Sequence, residues 1–219
     1  MMGDGPDGGG IAVTDRTVLV TGFEPFAGAS VNPSAEVAKA LDGRRVGAWQ
    51  VRAAILPVHH RTAAAAAGAL LDDLDPVVVV HLGLAAERAQ IALERIAINL
   101  MDYAIPDNEG QQVVDQPCVG GGPAAYFSTL PLRAILDALR GAGIPAYLSP
   151  TAGTYLCNFV LYTTLHALAA RRRPARAGFI HLPLLPSMVA SGNAQQPSMD
   201  LGFMLRGVEL ALETLAARP

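Results

Sequence analysis

The run Val77–Leu82, VVVVHL, constrains this chain more than any other segment. Successive side chains of a strand point to opposite faces, so an unbroken run of β-branched residues needs apolar cover on both sides. A sheet with helices on both faces provides that cover, and such sheets are mainly parallel. The neighbouring segments agree. Thr17–Thr21 (TVLVT) is a short buried strand that stops at Gly22, and Val51–Leu56, Arg95–Leu100, Ala146–Leu148 and Gly178–Leu182 read as further strands. Helical patterns fall between and after them: Ala35–Leu41 with Ser34 as N-cap, the Ala-rich Arg61–Leu74, Pro131–Gly141 ended by its glycine, Thr154–Arg171 and Leu201–Ala217. Strands that alternate with helices predict an α/β fold with a mostly parallel sheet. No repeat, linker or second domain is visible, so residues 16–219 read as one domain behind a flexible tail, residues 1–15.

Composition narrows the function classes. Of the 219 residues 51% are hydrophobic and the net charge is −3, which fits a globular core and gives no strong pull toward nucleic acid or an acidic membrane. The one basic cluster, Arg171–Arg173, sits at the end of a predicted helix, where cations meet the negative end of the dipole. Cys118 and Cys157 are too few for a disulfide framework and have no metal-ligand spacing, so a reducing compartment is the simple inference. The first residues lack the charges and apolar stretch of an export signal, and the apolar runs are strand-sized, so the expected location is cytoplasmic with no membrane span.

In open α/β sheets, ligands gather at the carboxyl ends of the strands. Three loops should lie there: Gly22–Asn32, Gly83–Gln90 and the residues after Leu182. Cys157 falls in the first turn of a predicted helix, where free N–H groups and the dipole favour a thiolate and could bear an oxyanion. A buried structural cysteine fits the same position. His181, near the end of a strand, is a natural base for such a nucleophile, although a core histidine bonded to backbone would also suit. Among its competitors, His59 and His60 look solvated at a helix start, and His81 and His166 look packed. Glu94 could orient an imidazole, or be a surface acid paired with Arg88 or Arg95. There is no GxSxG elbow, HExxH, P-loop or GxGxxG, and no His/Cys/carboxylate set has metal-ligand spacing. The long polar stretch Asp107–Gly122 reads as a functional loop, covering a site or building an interface.

Ordered segments along nearly the whole chain resemble the pyroglutamyl peptidase I family of cysteine peptidases, also called pyrrolidone-carboxylate peptidases. They are Val20–Phe26 with Asn32–Ser34, Glu94–Asn99, Ile105–Gly110, Gly122–Tyr126, Thr129–Pro131, Ala152–Asn158 and His181–Pro183. The resemblance implies a single α/β/α globule, three layers thick, usually assembled as a homotetramer. It implies removal of an N-terminal pyroglutamyl residue from peptides without a metal or other cofactor. It places the catalytic triad on Glu94, Cys157 and His181, and the aromatic pocket for the lactam on Phe23 and Phe26. By pattern alone those two rings read as loop packing against the core.

The chain departs from the family around the site. Ala104 stands where the family has an arginine, Gly83–Arg88 (GLAAER) lacks two inner glycines, Ala92-Leu93 replaces Thr-Pro before the glutamate, and Phe159 replaces a histidine. A remodelled pyroglutamyl peptidase, a relative with another N-acyl amide substrate, and a non-catalytic lactam-binding or acyl-binding relative all remain open at this point.

Overall fold

The computed structural model describes residues 16–171, 174–191 and 195–218. The tail read from residues 1–15, together with Arg172 and Arg173 of the basic cluster, lies outside them. Strand β1 (Arg16–Phe23) leads into helix α1 (Pro33–Leu41), then β2 (Arg45–Val46), β3 (Trp49–Leu56), α2 (His60–Leu74) and β4 (Val78–Leu84). Next come β5 (Ile91–Glu94), β6 (Ile96–Ile98), β7 (Ala125–Phe127), α3 (Leu132–Gly141), β8 (Ala146–Ser149) and α4 (Leu156–Ala170). The chain ends with β9 (Arg176–Leu182), α5 (Pro186–Ser191) and α6 (Leu201–Ala216).

Seven strands form one sheet in the order β2-β3-β1-β4-β9-β5-β8. The pairs β3-β1, β1-β4, β4-β9 and β5-β8 are parallel, whereas β9-β5 and β2-β3 are antiparallel. The expected mostly parallel α/β architecture is therefore present as a mixed sheet. Period-two alternation divides its side chains between two cores. Val18, Val20, Val78, Val80, Leu82, Ile180 and Leu182 pack with residues of α1, α3 and α6. Leu19, Val79, Ala177 and Phe179 pack on the other face with residues of α2 and α4. This division is why the valine run is apolar at every position.

Local differences from the sequence reading have physical causes. The N-cap of α1 is Asn32, whose Oδ1 accepts from the Ser34 N–H, and Pro33 occupies the first helical position. Ser34 instead accepts from the Phe23 N–H and donates to Asn32, which binds the end of β1 to the helix start. The expected strand Arg95–Leu100 shortens to β6, Ile96–Ile98, and the strand before it, β5, was not read from the sequence. Ile91–Glu94 belongs to the large sheet, whereas β6 pairs antiparallel with β7 in a small sheet of its own. Asp107–Gly122 folds back on the preceding segment: Tyr103 N–H donates to Val113, and Met101 and Gln116 exchange backbone hydrogen bonds. It braces the segment before it.

Candidate active site

A cleft of about 490 Å³ opens at the carboxyl ends of β1, β4 and β9 and at the start of α4. Cys157, His181, Phe23 and Phe26 all line it. Of the three loops expected there, the one after β1 and the one after β4 contribute, through Asn32 and through Leu84–Glu87. The residues after Leu182 do not. Their place is taken by Asp102, Ala104 and Ile105, and by the Ala152–Leu156 segment before Cys157. Ala104, where the resemblance implies an arginine, is exposed on the cleft wall.

Sheet register brings the acid and the imidazole together. His181 lies opposite Ala92 on the antiparallel strand β5, and Glu94 lies opposite Phe179. Residues two apart on one strand share a face, so Glu94 is the diagonal neighbour of His181. Glu94 Oε1 is 2.7 Å from His181 Nδ1 and both side chains are buried. The same oxygen accepts from Arg88 Nη1 at 2.5 Å, and Oε2 has no hydrogen-bond partner among the described residues. Glu94 is thus fully buried, and the surface-acid alternative does not hold. The pairing with Arg88 weighed in that alternative is nevertheless present.

Cys157 is the second residue of α4, as its sequence context predicts. The N-cap, Tyr155, makes no side-chain cap hydrogen bond, so no side chain caps the N–H groups of the first turn. Gly153 (φ +84°) takes the left-handed turn that leads into the helix. Asn158 anchors it from below: its Oδ1 accepts from the Ile98 N–H, and its Nδ2 donates to the carbonyls of Ile98 and Leu100. Across the cleft, Gly83 pairs with His181, and a methyl group there would come within 2.9 Å of Cys157 Sγ. Gly83 and Asn158 contribute to the site although sequence reasoning named them only within the Gly83–Arg88 and Ala152–Asn158 segments. The glycine at a strand end was the only available signal.

One expectation about the thiol is corrected. Burial pushes Cys157 up to about 12, and the Glu94 carboxylate adds to the rise, while Arg88 and the residue's own N–H pull the other way. Desolvation outweighs the helix terminus and favours the neutral thiol.

The aromatic residues divide. Phe23 is buried against Phe179, with ring centroids 6.4 Å apart, so its ring serves core and cleft together. Phe26 is half-buried and tilts over Tyr155 at 6.2 Å. Phe159 is core. Among the competing histidines, His81 is packed as expected, with Nδ1 2.7 Å from Thr21 Oγ1 and Nε2 3.0 Å from Thr164 Oγ1. His166 meets Tyr126. His59 is not solvated: it is buried beside Thr62, and His60 faces the buried Asp107. The two follow Val58, which lines the cleft, directly in the chain.

Comparison with known proteins places this geometry. A sequence model of the family described as pyroglutamyl peptidase matches residues 16–218. The chain belongs to the pyroglutamyl peptidase family. A pyrrolidone-carboxylate peptidase of Pyrococcus furiosus is 45% identical over 205 residues, 90% of this chain and 99% of that one. A pyrrolidone-carboxylate peptidase of Klebsiella pneumoniae is 49% identical over 195 residues, 89% of this chain and 90% of that one. Among solved structures, a mutant pyrrolidone carboxyl peptidase from the hyperthermophile Pyrococcus furiosus superposes with a TM-score of 0.90 at 43% identity, covering 93% of this chain and all of the other. Within the pyroglutamyl peptidase family, this chain sets Cys157 and His181, with the buried Glu94 behind the imidazole, at an apolar cleft that Ala104 also lines.

Proposed function

We propose that this chain is a cysteine peptidase that removes an N-terminal pyroglutamyl residue from peptides, with Cys157 as nucleophile, His181 as general base and acid, and Glu94 as the group that orients the imidazole. The observation that carries the reading is the buried Glu94–His181 pair behind a cysteine at an uncapped helix start, in a chain of this family. Glu94 Oε1 accepts the Nδ1 proton, which leaves Nε2 as the basic atom. Because the thiol is neutral at rest, its proton passes to His181 as the sulfur attacks the carbonyl carbon. First-turn N–H groups of α4 bear the resulting oxyanion. The tetrahedral species collapses as His181 gives its proton to the leaving amine, and a pyroglutamyl thioester remains. Water, deprotonated by His181, attacks the thioester carbonyl; the acid departs and the thiol is restored.

The lactam ring is small and flat, and Phe23, Phe26 and Tyr155 offer it a largely apolar slot. The acyl-amide and pure-binding alternatives are not favoured by the family and its named relatives. We read residues 16–219 as one peptidase domain, acting in the cytoplasm and assembled as a homotetramer. The exposed Phe127, Phe203 and Val114 are the side chains expected to be covered in that assembly, which light scattering of the purified chain would measure. No helix among the described residues is long and apolar enough to cross a membrane. The deciding experiment is release of a fluorescent amine from a pyroglutamyl amide, with Cys157→Ser beside the unmutated chain. Turnover that disappears in the variant supports the reading. A folded, unmutated chain without turnover overturns it.

A further inference from the structure

Next to Val58 of the cleft lining, the fold assembles a set of side chains able to bind a metal, His60 meeting Asp107 from 47 residues away. One ligating atom each of His59, His60 and Asp107 lie within 4.8 Å of one another. His60 Nδ1 is 3.0 Å from Asp107 Oδ2, and His59 Nε2 is 3.2 Å from Glu109 Oε2. Four ligands around a zinc ion stand roughly 3.3 Å apart, given Zn–N and Zn–O bonds of about 2.0–2.1 Å. The two measured pairs are already near that spacing.

The ligands are also held in place. His59 Nδ1 meets Thr62 Oγ1 at 3.1 Å, which leaves Nε2 directed toward the cluster. Asp107 Oδ1 accepts from the N–H groups of Glu109 and Gln111 at 3.0 and 2.9 Å, so Oδ2 is fixed on the histidine side. Outer partners of this kind orient metal ligands in functioning sites. Two carboxylates offset both the ion and the positive end of α2, and Glu109 is exposed enough to swing toward an arriving ion. Imidazole with carboxylate suits borderline divalent ions rather than calcium or magnesium.

We propose that His59, His60 and Asp107, with Glu109 as a fourth ligand, form a binding site for Zn2+ or a similar borderline divalent cation. On binding, the ion replaces the hydrogen bond between His60 Nδ1 and Asp107, and the neutral ring carries its single proton on Nε2, so that Nδ1 presents its lone pair to the ion. The ion would tie the start of α2 to the turn at Asp107–Glu109. That turn already reaches the cleft loop, since Asn108 Nδ2 donates to the Pro25 carbonyl and Asn108 N–H to Val58. The site is thus a clamp on the cleft rim, separate from Cys157, His181 and Glu94.

The test uses the full chain carrying Cys157→Ser, which removes the thiol that could hold zinc at the cleft. Equilibrium dialysis against Zn2+ should give one ion per chain, with affinity reduced at least tenfold in His59→Gln and in His60→Gln. Zn2+ should raise the thermal midpoint only where both histidines are present. The double variant in the Cys157 background should keep its turnover, which shows that it folds. Undiminished zinc binding in that double variant overturns the proposal, and so does the absence of binding to the Cys157→Ser chain. Should the double variant not fold, Co2+ added to the Cys157→Ser chain decides. The visible spectrum of a nitrogen–oxygen site supports the proposal, and the spectrum of free aqueous cobalt overturns it.

Discussion

A methyl group at Gly83 would stand 2.7 Å from a Phe179 ring carbon and 2.9 Å from Cys157 Sγ. Neither neighbour can retreat freely, since Phe179 is fully buried and Cys157 is fixed on α4. Gly83→Ala is therefore expected to cost about 1–3 kcal/mol of stability by overpacking. It should also lower kcat at least tenfold by displacing the sulfur, and urea unfolding beside amidase turnover would check both. The thiol itself makes a second residue-scale prediction. With Cys157 held at about 12, alkylation by iodoacetamide in the free chain should be slow near neutral pH and rise about tenfold per pH unit through the alkaline range. A plateau beginning near pH 7 would contradict it. The sequence made Cys157 legible through its place at a helix start. The reversal of its acidity was not legible, because burial depends on Phe179, Gly83 and Glu94, which come from three other strands.

At the scale of elements, α4 carries the proposed nucleophile and Asn158 seats it. Three hydrogen bonds run from its amide to the backbone of Ile98 and Leu100, and the side chain is fully buried. Asn158→Ala leaves the Ile98 N–H and two carbonyls without these partners, at a cost of about 1–3 kcal/mol per unsatisfied buried group. We expect a lower thermal midpoint together with lower kcat, whereas a purely structural role would leave the turnover of the folded fraction unchanged. Elements that bury both faces, such as β1, β4 and β9, were legible as apolar runs. The acid was harder to read. Glu94 ends a four-residue strand that runs into β6 after Arg95 alone, so strands of two different sheets look like one segment. The cap of α1 had a usable signal, because Pro33 at the first helical position marks Asn32 as the residue before it. The pairing of His60 with Asp107 had none, since no local pattern reports a contact across 47 residues.

The whole molecule depends on one buried histidine. His81 links β1 through Thr21 and α4 through Thr164, with both ring nitrogens engaged. Burial lowers its pKa from 6.5 to about 3, so the folded state keeps it neutral where an unfolded chain would bind a proton. Its contribution is therefore complete above about pH 6.5 and is lost as pH falls toward about 3. The slope is up to about 1.4 kcal/mol per pH unit. Urea midpoints measured from neutral to acidic pH should fall with this slope in the unmutated chain, and the slope should flatten in His81→Asn.

Strand order also sets a timetable. β9 lies between β4 and β5, yet it is the last strand to be made. Until it emerges from the ribosome, β2-β3-β1-β4 and β5-β8 are two separate fragments with unpaired edges facing each other. A nascent chain that has reached Ala170 already carries Cys157 and Glu94 but not His181, the proposed base. The strand that completes the sheet is the one that delivers His181, so with His181 as the proposed base the growing polypeptide would be chemically silent until its architecture closes.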